Sequence, residues 1–483
     1  MGTKITDPQP GSVSALAPET EPAALPDNAF PTVEAHAPSQ HRWKAALAVL
    51  AAGGLLTACN NDALGGGGTP GTGPTTNYEK YKGPFTAKEA AHLLRRAAAV
   101  GTSDDADHLA RLGLEKAVDY LLEEPDLPTE EDPSYFRHDN GRDWRERYVN
   151  EWANHWLSSN TPAAERLTFF WHGHFATEAV KGKYYMTYLK INKIRELSLG
   201  TFRDLLYMIA EDPSMIIYLD SSSNVKGHPN ENWGRELMEL FTLGLDQYTE
   251  KDIQEVSRAF TGWTVLYERY DDEYIYYFTF DGRKHDFGPK QLLGHTVFNR
   301  YAPVSEGYDV LDIILGMDQT YKYITSKLLR YYYRPNPEQE MIEQGADVLK
   351  GGTVRDFLKW LFTHPNFYAE ETRNSLIKSP FEYVLGLFYA SGNRQLPDEK
   401  DLLTQLRNHL DHDPYNPPNV AGWPLANTGW LSDATLLQRI KLIDFATEPE
   451  KSNADYRVFM DVMDYSDRAP SKADLVAPEA HLL

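Results

Sequence analysis

Apolar residues recur at intervals of three and four along most of the chain after Phe85, which is the spacing of a helix with one buried face. The first such stretch begins at Thr86, which is placed to cap the helix, while Glu89 can reach back to complete a capping box. Further stretches with this spacing are 106–123, 144–158, 163–171, 202–210, 232–243, 252–260, 313–333, 354–363, 381–390 and 434–445. The pattern predicts a mainly α fold, built as one large domain of many helices.

One segment departs from the helical pattern. Between Trp263 and Asp281 apolar and polar residues alternate, which is the spacing of a strand with one buried face. Four aromatic residues share a face of its second half: Tyr274, Tyr276, Phe278 and Phe280. Asp281-Gly282 supplies a turn signal. The sequence therefore predicts a small β-hairpin insertion around residues 263–283.

The region around the single cysteine has the pattern of an export signal. A basic patch at residues 41–44 precedes 14 uncharged, mostly apolar residues, 45–58, a run too short to span a bilayer as a mature helix. The run ends in Leu56-Thr57-Ala58-Cys59, which resembles the lipobox at which bacterial lipoproteins are lipidated on cysteine and cleaved before it. The alternative is a buried helix with an isolated thiol. About forty residues precede the basic patch, more than a usual leader has, and we interpret 1–40 as dispensable or wrongly assigned.

These features predict the domain organisation. We expect an N-terminal extension and lipoprotein signal over 1–58, a flexible Gly/Thr/Pro tether over 59–77, a helical domain over 78–466 and a C-terminal tail over 467–483. Lipid on Cys59 would anchor an exported protein to a membrane of the cell envelope, on the periplasmic or cell-surface side.

The charge balance and the cysteine count exclude several classes. The 48 Lys and Arg residues face 70 Asp and Glu residues, so the net charge is −22, which repels nucleic acid; we expect no nucleic-acid partner. One cysteine allows no intramolecular disulfide and no zinc site built from several thiolates.

Seven short motifs stand out along the chain. They are His92-Leu-Leu-Arg-Arg96, Phe170-Trp-His-Gly-His-Phe-Ala-Thr177, Asp212-Pro213 followed by Tyr218-Leu-Asp220, His228-Pro-Asn-Glu-Asn-Trp-Gly-Arg-Glu-Leu-Met-Glu-Leu240, Phe260-Thr-Gly-Trp263, His285-Asp-Phe-Gly-Pro-Lys290 and Asn419-Val-Ala-Gly-Trp-Pro424.

Together these motifs resemble the signature blocks of the "domain of unknown function 1800" family over roughly residues 84–445. The resemblance implies a largely helical, secreted or envelope-associated protein, with no settled activity to carry over. It also implies a partner, because family members are often encoded beside proteins that resemble an alkaline-phosphatase-like family.

The histidine motifs suggest a metal site. On a regular helix His172 and His174 project about 200° apart, so they could share an ion only if the helix opens at Gly173. Imidazole with carboxylate suits zinc, iron or manganese, and His285 and Asp286 would add ligands. The alternative is that each histidine forms its own hydrogen bond in a polar core.

The motif that ends in Leu240 predicts a helix that stops at Gly244. Glu231, Arg235 and Glu239 follow one another at intervals of four, as in a ladder of ion pairs. Glu236 lies beside the apolar face, where a partly desolvated carboxylate could be a metal ligand or general base. Alternatively, Glu236 pairs with an arginine, for which the sequence offers Arg95, Arg96 and Arg195.

Two functions follow from these patterns. The first is a metal-dependent hydrolase or transferase of an envelope substrate, with Glu239 or Arg235 supporting the metal ligands from outside the ion's coordination sphere. Its five expected metal ligands are His172, His174, Glu236, His285 and Asp286. The second is a non-catalytic assembly or binding protein of the envelope. The loop at Trp423-Pro424 we interpret as a rigid packing element, because nothing in it titrates near neutral pH.

Overall fold

A computed structural model describes residues 78–128, 144–178, 184–270, 273–396, 402–425 and 427–447. The expected signal segment, Cys59, the tether and the C-terminal tail lie outside these residues. All described residues belong to one unit, within Gly71–Leu483. None of the described helices is long and apolar enough to cross a membrane.

The described part of the chain contains 17 α-helices, one π-helical turn and two small hairpins. The helices are α1 Ala87–Ala97, α2 Ser103–Leu112, α3 Leu114–Leu121, α4 Trp144–Ser158, α5 Pro162–His174, α6 Tyr184–Leu197, α7 Phe202–Glu211, α8 Pro213–Tyr218, α9 Asn232–Glu236, α10 Glu250–Ala259, α11 Ser305–Gly316, α12 Asp318–Tyr332, α13 Gln339–Gly351, α14 Val354–Thr363, α15 Pro380–Ala390, α16 Leu402–Leu410 and α17 Asp433–Thr447. The π-helix Leu237–Thr242 continues α9, and short 3-10 turns occupy Ser221–Ser223, Pro365–Tyr368 and Asn427–Trp430. The predicted mainly α fold is confirmed.

Local chemistry explains where several of these helices begin and end. The capping box predicted at Thr86 and Glu89 is present, with Glu89 accepting from the Thr86 amide at 3.0 Å. The predicted helix over 106–123 is divided at Gly113, whose φ of 78° lies outside the helical range. The predicted helix over 313–333 is likewise divided, because Met317 has an extended backbone with ψ of 130°. The sequence pattern missed helices α6, α8, α13 and α16.

The predicted hairpin is present, but its turn is elsewhere. Strands β1 Trp263–Tyr270 and β2 Glu273–Phe280 pair antiparallel, with Tyr267 opposite Tyr276. The chain therefore reverses between Tyr270 and Glu273 rather than at Asp281-Gly282. A second hairpin, not predicted, joins β3 Lys290–Leu292 to β4 His295–Val297.

Helix α5 lies at the centre of the domain and is buried on all sides. Every residue from Ala163 to His172 is buried, including the charged neighbours Glu165 and Arg166. The buried ion pairs point to different helices: Glu165 accepts from Arg195 of α6 at 2.5 and 2.9 Å. Arg166 donates to Glu382 of α15 at 2.6 Å. Buried ion pairs thus connect helix α5 to both α6 and α15.

These ion pairs determine the ionisation of their carboxylates. Burial alone would raise the pKa of Glu165, but the guanidinium of Arg195 and the ring of His155 outweigh it and lower the pKa to about 2. Glu382 behaves in the same way beside Arg166, and its pKa is also lowered to about 2. Both groups therefore stay ionised in the folded protein over the ordinary pH range.

We predict that Glu165→Gln lowers the free energy of unfolding at pH 7 by roughly 3–5 kcal/mol, because it leaves Arg195 buried without a counter-charge. The folded pKa of Glu165 is depressed, so its contribution is fully present above about pH 4.5 and is lost as pH falls towards 2. Urea denaturation at several pH values checks this, and the variant's stability should change less with pH in that window. The matched control is Glu196→Gln, in an exposed pair with Lys193, which should cost less than about 1 kcal/mol. Equal losses in the two variants would contradict the prediction.

Candidate anion-binding cleft

The two histidines at the end of α5 are buried and face different carbonyl groups. His172 Nε2 donates to the carbonyl of Pro414 at 2.9 Å, and His174 Nε2 donates to that of Phe241 at 3.1 Å. Burial lowers the pKa of both rings well below the usual value, with nearby Lys190 adding to the effect at His172 and Lys327 at His174. Both rings are therefore neutral, and the helix does not open at Gly173 to bring them together.

The other predicted ligands have partners of their own. His285 Nδ1 donates to the carbonyl of Thr261 at 2.8 Å, and its Nε2 lies 3.2 Å from Glu306 Oε2. Lys290 donates to the same carboxylate, so this buried cluster contains its own charge balance. Asp286 pairs with Arg258 at 2.9 Å, and the hydrogen bond from that guanidinium lowers the pKa of the Asp286 carboxyl.

The three predicted catalytic residues lie around the junction of α9 and the π-helix. Arg235 pairs with Glu250 at 2.8 Å and with Glu231 at 3.3 Å, as part of the expected ladder. Glu239 accepts from the hydroxyl of Tyr248 at 2.9 Å. Glu236 is half-buried; burial and then the charge of Glu239 raise its pKa. Arg195, one of the pairing partners considered for Glu236, is instead bound to Glu165.

Within the described ranges, no three His, Cys, Asp or Glu side chains are grouped closely enough to hold a metal ion. The predicted meeting of five ligands on one ion is therefore not seen there. His172 and His174 instead form separate hydrogen bonds, as the alternative interpretation expected. The metal site stays a prediction.

A cleft in the same part of the domain brings together residues from three of the sequence motifs. His92, Arg95 and Arg96 come from α1, Gly173 and His174 from the end of α5, and Ala421, Trp423 and Pro424 from the last motif. The remaining lining residues are Arg166, Phe169, Phe170, Lys327, Arg330, Tyr331, Asn374, Leu376, Ile377, Lys378, Ser379, Glu382, Leu425 and Trp430. The cleft encloses about 990 Å³ of empty space, open solvent at its mouth included.

The charge of the lining is strongly positive, although the chain as a whole is acidic. Six cationic side chains line the cleft: Arg95, Arg96, Arg166, Lys327, Arg330 and Lys378. Among the described lining residues, Glu382 supplies the one carboxylate, and it is already paired with Arg166. Cations gathered in a recess of low dielectric raise the local concentration of anions.

Two of the cations are lysines held by backbone carbonyl groups. Lys327 donates to Leu240 at 3.3 Å and Lys378 to Ala99 at 2.6 Å. Burial, with the neighbouring charge of Arg330, lowers the pKa of Lys327 to about 7. Burial lowers that of Lys378 to about 7 as well, despite the opposing effect of Glu382. An anion in the cleft would favour the charged form of both lysines.

Arg330 is the cation best placed to receive a ligand. Its half-buried guanidinium has no hydrogen-bond or ion-pair partner among the residues that the structure describes. A guanidinium group offers five N–H donors in a planar fork that matches a carboxylate or a phosphate. Arg96, by contrast, already donates to the carbonyl of Thr372 at 2.7 Å.

An aromatic wall closes another side of the cleft. Trp423 stacks on Phe169 with ring centroids 5.5 Å apart, and it also contacts the ring of His412 at 5.2 Å. The packing role predicted for this loop is thus seen, but the same indole also lines the cleft. His412 is buried, and burial lowers its pKa to about 3.

Two glycines allow this loop to reach α5. Gly422 has a φ of 78°, and a Cβ added there would lie 2.0 Å from the carbonyl oxygen of Gly173. A Cβ on Gly173 would lie 3.3 Å from the ring of Trp423. The central glycines of two sequence motifs therefore meet at a close backbone approach.

Sequence reasoning missed four cations of this cleft: Arg166, Lys327, Arg330 and Lys378. One signal was present, since Arg166 and its neighbour Glu165 are the charged residues of a mostly apolar helical stretch, and each needs a partner if it is buried. That partner, Glu382, completes a capping box with Ser379 on α15. No sequence pattern shows that these helices meet.

We predict that Gly422→Ala destabilises the protein more than Gly392→Ala does. Both glycines have positive φ, 78° and 82°, so both variants bear a similar backbone penalty of roughly 1 kcal/mol. No described residue lies within 4 Å of a Cβ added at Gly392, whereas a Cβ added at Gly422 meets Gly173. The additional overlap should cost about 1–3 kcal/mol more, measured by urea denaturation. If the two losses are equal, the close approach does not hold the loop.

Comparison with known proteins identifies the family. The model of a family described as "Protein of unknown function (DUF1800)" matches residues 92–477, a range that contains the whole cleft lining. No curated protein and no solved structure matches the chain. Because the matched range covers most of the sequence, as the motifs predicted, the protein belongs to this DUF1800 family.

Proposed function

We propose that this protein binds an anionic ligand in the basic cleft and acts as a binding protein of the cell envelope. The observation that carries the proposal is the convergence of six cations and one already paired carboxylate in a recess of an acidic protein. In such a chain, a local excess of positive charge is not explained by the overall composition.

Structural needs account for only part of this charge. Arg166 stabilises α5 through Glu382, and Arg96 ties α1 to the backbone of Thr372. Lys327 and Arg330, on adjacent turns of α12, serve no such ion pair within the described part of the chain. Keeping like charges close together in a partly buried cleft is unfavourable, and the repulsion is relieved either by loss of a lysine proton or by a bound anion.

The size of the cleft limits the ligand. The cleft encloses about 990 Å³ only when the open solvent at its mouth is counted, so its enclosed part is smaller than that. The net charge of −22 opposes long-range attraction of a nucleic acid. We therefore infer a small anion or the anionic end of a larger molecule.

We predict that Arg330→Gln weakens the binding of inorganic phosphate or sulfate at least tenfold, because the loss of a charged hydrogen-bond donor costs roughly 1.5–3 kcal/mol. Isothermal titration calorimetry measures this. The matched control is Arg235→Gln, whose guanidinium pairs with Glu231 and Glu250 and does not line the cleft. Failure of the wild type to bind any anion, or equal weakening in both variants, would refute the proposal.

Attachment to the envelope is part of the proposal and rests on the sequence. Cys59 ends an apolar run with a lipobox pattern and precedes a Gly-rich tether, so we propose that it carries the lipid. We expect Cys59→Ser to move the protein from the membrane fraction to the soluble fraction. A variant that stays in the membrane fraction would contradict lipid anchoring.

The alkaline-phosphatase-like partner stays a prediction.

A metal-dependent hydrolase or transferase of an envelope substrate is the second candidate. It is favoured by the Nδ1 atoms of His172 and His174, which are buried and have no hydrogen-bond partner among the described residues. An unprotonated imidazole nitrogen is a ligand for zinc, manganese or iron. We expect one of these ions to raise the melting temperature, and His172→Gln to abolish the rise while exposed His228→Gln preserves it. No rise with any of the three ions would remove this candidate.

A further inference from the structure

The lining of the cleft is unusual for a site that takes only a small inorganic anion, because partly exposed apolar side chains stand beside the cations. Five of them are Leu376, Ile377, Trp423, Leu425 and Trp430. Arg96 and Arg166 are more deeply placed, with only 6% and 4% of their surface exposed. The buried part of the cleft thus contains charged side chains, and its solvent-accessible part contains apolar ones.

A small anion would leave this apolar surface in water. Phosphate or sulfate could satisfy Arg330 and the lysines, but neither has a group that covers Leu425 or Trp430. Burying apolar surface is favourable by about 25 cal/mol per Å², so a ligand with an apolar part gains affinity that an inorganic ion cannot. The shape and composition therefore favour a ligand with two chemically different ends.

The lining is poorly suited to a ligand rich in hydroxyl groups. The hydroxyl of Tyr331 already donates to Glu382 at 2.8 Å, and that of Ser379 already accepts from the Glu382 amide at 3.3 Å. A sugar chain would leave hydroxyl groups against Leu376, Ile377 and Leu425, where an unmade hydrogen bond costs about 1–3 kcal/mol. An acidic glycan is therefore disfavoured relative to an anion with an apolar chain.

We propose that the ligand is an amphiphilic anion, a phosphate or carboxylate head group joined directly to an alkyl or prenyl chain. This inference rests on the proposed anion-binding function and names the class of its ligand. The head group binds the cations around Arg330 and Lys327. The chain lies along the apolar wall formed by Leu376, Leu425 and Trp430.

The test uses two homologous series with the full-length protein, below their micelle concentrations. One consists of butyl, hexyl and octyl phosphate, and the other of the carboxylates hexanoate, octanoate and decanoate. Calorimetry should show the affinity rising about fourfold for each methylene that is buried, until the chain leaves the cleft. The series that binds with the higher affinity at equal chain length shows whether the cleft prefers a phosphate or a carboxylate head group.

Two variants separate the head group from the chain. Arg330→Gln should weaken every member by the same factor and leave the dependence on chain length unchanged. Leu425→Ser should reduce that dependence and leave the affinity for inorganic phosphate unchanged. Unchanged thermal unfolding of both variants shows that they fold.

The outcomes distinguish the two proposals. If inorganic phosphate binds but chain length has no effect, the amphiphile is excluded and the anion-binding function stands. If no anion binds, both fail. Alkyltrimethylammonium salts are the control for non-specific binding to apolar surface. If they show the same dependence on chain length as the anions, the cleft does not select an amphiphilic anion and this inference is overturned.

Discussion

Two buried ion pairs, formed by neighbouring residues of one helix, are the constraint on which the rest of the domain depends. Helix α5 is buried on all sides, so the charges of Glu165 and Arg166 must be compensated within the protein. Glu165 binds Arg195 of α6 and Arg166 binds Glu382 of α15, so the two pairs fix α5 relative to two other helices. Misplacing either helix would leave a charge buried without a partner, which is far more costly than losing an apolar contact.

The same constraint shapes the cleft. Arg166 and Glu382 both line it, so the pair that positions α5 also forms part of the wall. Around this pair lie cations that form no ion pair with a described residue, above all Arg330 and the two lysines, which donate only to backbone carbonyl groups. Their charge is concentrated in a recess of a protein with a net charge of −22, and burial lowers the pKa of both lysines to about 7.

The histidine motifs acquire a different meaning in the folded protein. His172 and His174 are neutral, and each donates to a carbonyl from a distant part of the chain, so they join α5 to the loop at Pro414 and to the π-helix. A π-helix has carbonyl groups displaced from the regular helical ladder, and those of Leu240 and Phe241 accept from Lys327 and His174, which both line the cleft. The histidine motif at the end of α5 thus contributes to the cleft lining, but its histidines are not brought together as the metal ligands that their residue type suggested.

The fold class, the family, the capping box at Thr86 and the presence of a hairpin after Trp263 could all be predicted from the sequence, because each depends on residues close together in the chain. The sequence also identified motifs that line the cleft, since His92, His174 and Trp423 all belong to them. It did not show that Gly173 and Gly422 touch, that Arg166 meets Glu382, or that Arg330 faces the same space as Arg95. Those contacts join residues far apart in the sequence, and only the packing of the helices, with every buried charge requiring a specific partner, decided them.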